Sequence, residues 1–154
     1  MKKTHAKRIY LDYAASTPVD PEVFQVMTPY FNEKFGNAGS LHFFGQEAQA
    51  ANDKSREAIA IAIGPDVREI IFTGSATEAN NLALRGVVHG VKCQMSNVRC
   101  RVIVSAIEHE SVLETAKDLE REGVEVIYLP VDKEGYVDLK KLEESLNERT
   151  ILVS

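Results

Sequence analysis

The chain has 154 residues, 44% of them hydrophobic and 27% charged, enough for one sizeable core and, by length alone, one domain. Eighteen basic residues against 23 acidic ones leave a net charge of −5, which supplies no broad cationic field for nucleic acid or for an anionic membrane. No run approaches the roughly 18 apolar residues of a membrane span, and the basic start leads into a strand-like segment rather than an apolar signal core, so the expected compartment is the cytoplasm.

A short extended piece at residues 8–13 is followed by Asp20-Pro21, which reads as an N-cap with proline at the first helical position. The helix it opens carries Val23, Val26, Met27 and Tyr30 on one face, and Pro29 should end or kink it. Residues 35–45 hold three glycines without a sustained period and read as a loop with function or tight packing to account for. From Gln46 a second helix places Ala48, Ala51, Ser55, Ala58, Ile59 and Ala62 at helical spacing and stops at Gly64-Pro65. Beyond it the pattern predicts strands at 69–73, 102–105, 124–129 and 150–154, with helices near 76–88, 112–122 and 139–147. Strand, helix, strand at this spacing argues for a parallel sheet with right-handed crossovers. The chain ends inside the last predicted strand, as the front part of something longer would.

Two turns of this pattern carry chemistry. In "FTGSATEANN", residues 72–81, Ser75 and Glu78 fit a capping box, so a helix should start with the amides of Ala76, Thr77 and Glu78 in its first turn. Amides without partners, the positive end of the helix dipole and the Thr77 hydroxyl can together hold a phosphate, and Gly74 lets the backbone come close. A well-capped helix start with no ligand accounts for the same residues. His109 follows the strand at 102–105 and precedes a second capping pattern, Ser111 to Glu114, which sets it at the carboxyl edge of the sheet, where open α/β sheets bind ligands. Flanking Glu108 and Glu110 would favour a protonated imidazole if either lies close, and a lone loop histidine is also an ordinary surface residue. Cys93 and Cys100 fall in a polar stretch that reads as a loop; with His89 they match no standard zinc spacing, and reduced thiols are the better reading.

Five blocks in order carry a resemblance: "YLDYAASTPVDPEV" at 10–23, "FGNAGSLHFFG" at 35–45, "IIFTGSATEANNLALRG" at 70–86, "VIVSAIEHESV" at 102–112 and "VDKEGYVDLKKLEESL" at 131–146. The chain resembles the amino-terminal part of the class V aminotransferase family, most closely the cysteine desulfurases of the NifS/IscS type. The resemblance covers essentially all of this chain and less than half of a typical family member. It implies a three-layer α/β/α fold with a mainly parallel sheet, part of the large domain of a fold-type I pyridoxal phosphate enzyme. Residues 1–65 would then form an amino-terminal segment with helices, and 66–154 the first part of the cofactor-binding domain. It also implies that Ala76 and Thr77 bind the phosphate of pyridoxal 5′-phosphate and that His109 stacks on the pyridine ring and takes part in proton transfer. Ala14, Ala15 and Asn37 would fall in segments lining the approach to the active site. Two departures stand out: the commoner order Ser-Gly-Ala-Thr reads Gly74-Ser75-Ala76-Thr77, and the proline often found after the loop asparagine is Ala38.

The implied reaction converts L-cysteine to L-alanine and leaves sulfur on an enzyme cysteine as a persulfide. In the family the Schiff-base lysine, the carboxylate on the pyridinium nitrogen and that cysteine lie further along than any residue here, so this chain alone is expected to be inactive. The family's usual homodimer and a sulfur acceptor, either an iron-sulfur scaffold or a tRNA-thiolation partner, are the implied partners. Another class V enzyme such as a selenocysteine lyase, a non-catalytic subunit completed by a second chain, and an unrelated phosphate-binding α/β domain are the rival readings.

Overall fold

The computed structural model describes residues 8–94 and 99–154. They fall into two compact units, the first ending at Ile71 and the second running from Phe72 to Ser154.

In the first unit helix α1, Pro21–Met27, opens as the sequence predicts: the Asp20 carboxylate accepts the Glu22 and Val23 amides, and Pro21 occupies a position whose N–H would have no partner. Pro29 ends it after about two turns and begins α2, Pro29–Asn32. Helix α3, Phe43–Ile63, starts at Phe43 rather than Gln46, because the His42 ring caps it, Nδ1 accepting the Gly45 amide at 3.4 Å. Glycine is required twice where the loop meets it, once in the loop and once in the first turn of the helix. A Cβ on Gly36 would stand 2.1 Å from the Phe44 carbonyl oxygen, and one on Gly45 2.1 Å from that of Ser40. The loop backbone therefore lies directly on the first turn of α3, which is the tight packing the glycines pointed to. Gly64, at φ 91°, ends the helix in the left-handed region and returns its amide to Ala60.

The predicted strand at 69–73 does not form. Asp66 and Glu69 close a capping box around a 3₁₀ turn, Val67–Glu69, and although Ile70 is extended (φ −85°, ψ 118°), no strand runs beside it among the described residues. An extended segment becomes a strand only through its ladder.

The second unit is built on a parallel sheet of three strands in the order β2-β1-β3: β1, Arg101–Ser105, β2, Glu125–Leu129, and β3, Thr150–Val153. Val102 to Ser105 face Val126 to Leu129 in strict register, while on the other side the pairing slips between Arg101 and Val102, so that Thr150 and Leu152 become successive partners. Central β1 is covered on both faces. Val102 and Val104 point one way into a core with Leu84, Val88, Val112, Ala116 and Leu119, and fully buried Ile103 points the other. Burying a side chain of this size contributes about 1.5–3 kcal/mol, which makes β1 the anchor of the unit. Helix α4, Ala76–Gln94, supplies Leu84 and Val88, and α5, Glu110–Arg121, supplies the remaining helical members of that cluster. Helix α6, Leu139–Ser145, touches β2. Helix α4 runs past the predicted end at 88 because Val91 continues its packing against the core. Cys100, expected in a polar loop, is 1% exposed at the start of β1, and its carbonyl accepts the Glu125 amide. Among the described residues no helix is long and apolar enough to cross a membrane.

Candidate functional site

Helices α4 and α5 run side by side in the same direction. Asn80 bonds Ser111, Arg85 bonds Asp118 and Glu122, and His89 bonds Glu122, so each step along one helix is matched by a step along the other. Because α5 follows β1 after a short loop, both helix starts stand at the carboxyl edge of the sheet. The Arg85 fork spans two carboxylates at 2.8 and 3.0 Å, and Lys92 adds a bond to the Glu122 carbonyl.

At the start of α4 the Ser75 hydroxyl accepts the Glu78 amide at 3.1 Å, half of the expected capping box. The other half is displaced by one residue. Glu78 turns its carboxylate back onto the Gly74 amide at 2.7 Å instead of that of Ser75, and a Cβ on Gly74 would stand 3.3 Å from that carboxylate. The amides of Ala76 and Thr77 lie in the first turn, where no intrahelical acceptor exists, and the Thr77 hydroxyl is beside them. Two amides, a hydroxyl and the positive end of a helix of this length are the donor set that suits phosphate oxygens.

His109 is itself the N-cap of α5. Its Nδ1 accepts the Ser111 amide at 3.1 Å, so the helix starts before Ser111 and the cap is His109 instead. The Ser111 hydroxyl lies 2.9 Å from the same nitrogen and 2.8 Å from the Asn80 amide nitrogen. Neither flanking carboxylate hydrogen-bonds the ring; Glu108 instead receives the Ser154 hydroxyl at 3.3 Å. The ring's hydrogen bonds run to Ser111 rather than to either flanking carboxylate.

A groove of about 350 Å³ lies between the two helix starts, lined by Thr77, Asn81, His109 and Glu114 among others. The fold thus brings Thr77 and His109 to one hollow, with the Ala76 amide on the adjoining turn. Ala14, Ala15 and Asn37 belong to the first unit. The two alanines lie in a turn where the Ala15 and Ser16 amides both return to the Asp12 carbonyl, and Asn37 closes a turn through its side chain onto the Gly39 amide at 2.8 Å. A larger hollow, about 430 Å³, opens at the amino edge of the sheet, away from both helix starts, and Glu125 on its wall is engaged by Arg149 and by Arg101. Sequence reasoning passed over Asn80 and the role of Ser111. Their signal was position alone, each standing near the start of one of the two predicted helices.

A parallel α/β sheet with these helix starts at its carboxyl edge is the layout of fold-type I pyridoxal phosphate enzymes, and the chain matches NifS-like structures of that fold. The solved structure of a NifS-like protein superposes with a TM-score of 0.86 at 39% identity, covering 96% of this chain and 39% of that one. A structure described as SspA in complex with cysteine gives 0.81 at 36% identity, over 94% of this chain and 40% of its own. The family model for class-V aminotransferases matches residues 9–154, and the chain belongs to that family. Among curated relatives, cysteine desulfurase IscS of Dictyoglomus turgidum is 46% identical over 148 residues, 96% of this chain and 36% of the relative. The mitosomal cysteine desulfurase of Encephalitozoon cuniculi is 46% identical over 152 residues, 98% and 35% of the two chains. The chain therefore spans about a third of the length of the curated relatives it matches.

Proposed function

We propose that the chain forms part of the cofactor site of a pyridoxal phosphate-dependent cysteine desulfurase, taking L-cysteine to L-alanine and passing the sulfur to an enzyme cysteine. The observation that carries this reading is the meeting of Thr77 and His109 at the parallel starts of α4 and α5. The class-V family, the relatives named cysteine desulfurase and the similar structure holding cysteine support it. When bound, pyridoxal phosphate supplies an electron sink for chemistry at the substrate α-carbon. The Ala76 and Thr77 amides and the Thr77 hydroxyl hold the phosphate. His109 contributes a flat imidazole suited to packing on a ring and to holding or moving a proton at Nε2. No lysine of this chain takes the Schiff-base role in this reading. Cys100 does not take the sulfur, since a thiol 1% exposed in the core cannot reach a substrate. Sulfur then passes on to an acceptor protein of the iron-sulfur or tRNA-thiolation kind.

The test uses the protein that carries this chain, over its full length, titrated with pyridoxal phosphate and assayed for alanine and sulfide. Loss of one hydrogen bond to a charged group is worth about 1.5–3 kcal/mol, so Thr77→Ala should weaken cofactor binding roughly 10- to 100-fold. His109→Ala should lower turnover by about 10²–10⁴, the range of general acid–base catalysis. Unchanged cofactor affinity in Thr77→Ala, together with unchanged turnover in His109→Ala, would sink the proposal.

A further inference from the structure

We infer that Asn80 and Ser111 are positioning residues for His109, fixing its imidazole as the tautomer that carries its proton on Nε2. The inference deepens the cofactor-site reading and takes its significance from it, while its geometry stands independently. A backbone N–H can only donate, so the 3.1 Å bond from the Ser111 amide requires a lone pair on Nδ1. The Ser111 hydroxyl, 2.9 Å from the same nitrogen, must then donate to it as well. That leaves the hydroxyl oxygen as an acceptor, and the Asn80 side-chain amide fills the place from α4 at 2.8 Å. The Thr115 hydroxyl, donating to the Ser111 carbonyl at 2.8 Å, holds the same turn from below.

The three side chains form a directed chain, Asn80 to Ser111 to His109, in which the Ser111 hydroxyl and amide share the one Nδ1 lone pair. Its direction depends on the group at position 80. A carboxylate there would claim the hydroxyl hydrogen of Ser111 and leave Nδ1 with the longer backbone bond alone, a weaker bias toward the same tautomer. The tautomer decides what the ring offers on its other side: Nε2–H is a donor, whereas a ring protonated only on Nδ1 presents an acceptor. A neutral ring with a fixed donor is a different reagent from one that exchanges both forms.

The tautomer is read directly from the ¹⁵N and ¹H shifts of the imidazole in full chain labelled at its four histidines, with His109→Gln assigning the signal. At a pH where the ring is neutral, the native protein should show Nδ1 as an unprotonated, acceptor-type nitrogen and Nε2 as an N–H. Ser111→Ala and Asn80→Asp should each shift both nitrogens toward averaged values as the second tautomer gains population, and Ser111→Thr, which keeps the hydroxyl, should restore the native shifts. Unchanged signals from the other histidines show that a variant is folded; should Ser111→Ala not fold, the native spectrum and Asn80→Asp decide. A native ring already protonated on Nδ1, or a ring unmoved by both substitutions, overturns the inference. The measurement needs no cofactor. A protein with the fixed tautomer that fails to bind pyridoxal phosphate loses the functional reading and keeps this one; cofactor binding with a mixed tautomer does the reverse.

Discussion

A methyl group at Gly45 has nowhere to go. It would stand 2.1 Å from the Ser40 carbonyl oxygen, and that carbonyl belongs to a backbone already bound at Asn37 and Gly39. Gly45→Ala should therefore destabilise the chain by about 1–3 kcal/mol, the usual cost of overpacking. Gly90→Ala, in the interior of α4 with nothing within 4 Å of the new carbon, should stabilise it by up to about 1 kcal/mol. Urea unfolding of the two variants gives opposite signs if each glycine is there for the reason stated. Such single positions were partly legible. The glycines of the 35–45 loop announced either function or close packing, and the structure supplies the packing. His109 was placed at the sheet edge correctly because a strand and a helix start bracket it. Its capping role was hidden because serine is the far commoner N-cap, and Ser111 two residues later drew the assignment.

Between elements the informative contact is the one joining α4 to α5. Arg85, 31% exposed at its side chain, grips Asp118 and Glu122 together, and this clamp lies close behind the groove that holds Thr77 and His109. Exposed pairs are worth little singly, but a planar fork on two carboxylates forms a small network, so Arg85→Ala should cost about 1 kcal/mol. Arg85→Lys should recover only part of it, since an ammonium cannot meet both partners in one plane. Measured in urea, the difference should shrink at high salt. Sequence pattern found the helices and the three paired strands but erred where an element depends on something distant. Residues 70–72 are as apolar as any strand, yet nothing in their own order says whether a neighbour is present. Cys100 was misread because its flanking arginines resemble a loop, while its burial comes from α4 and α5 packing over β1.

Over the whole molecule, stability against pH draws on scattered groups, three of which lie in the second unit. The hydrogen bond from His89 holds the Glu122 carboxyl below its ordinary range, and that from Arg101 does the same for Glu125. A carboxyl whose folded value is depressed contributes stability above its ordinary value of 4.5 that is lost as pH falls through the lower folded one. On the alkaline side, burial, then the hydrogen bond to Glu120, push the Tyr128 phenol from 10.0 up to about 12. Its contribution is complete below pH 10 and is lost as pH rises through about 12. Tyr128→Phe should flatten the fall in stability across that alkaline window and leave the acid limb unchanged, as unfolding midpoints recorded along a pH series will show. An alkaline limb as steep in the variant as in the native chain would contradict this account. At this scale the family was legible from five ordered blocks, since their order and spacing follow from the succession of turns and helix starts rather than from any one contact.

Two helices that begin side by side at one edge also set like poles against each other. Each start carries about half a positive charge, and their mutual repulsion opposes the parallel packing of α4 and α5. Glu78 and Glu110, in the two first turns, act as internal counterions to this field. An anion seated between the two helix starts would face both positive poles at once, and its charge would offset the repulsion that their parallel packing carries.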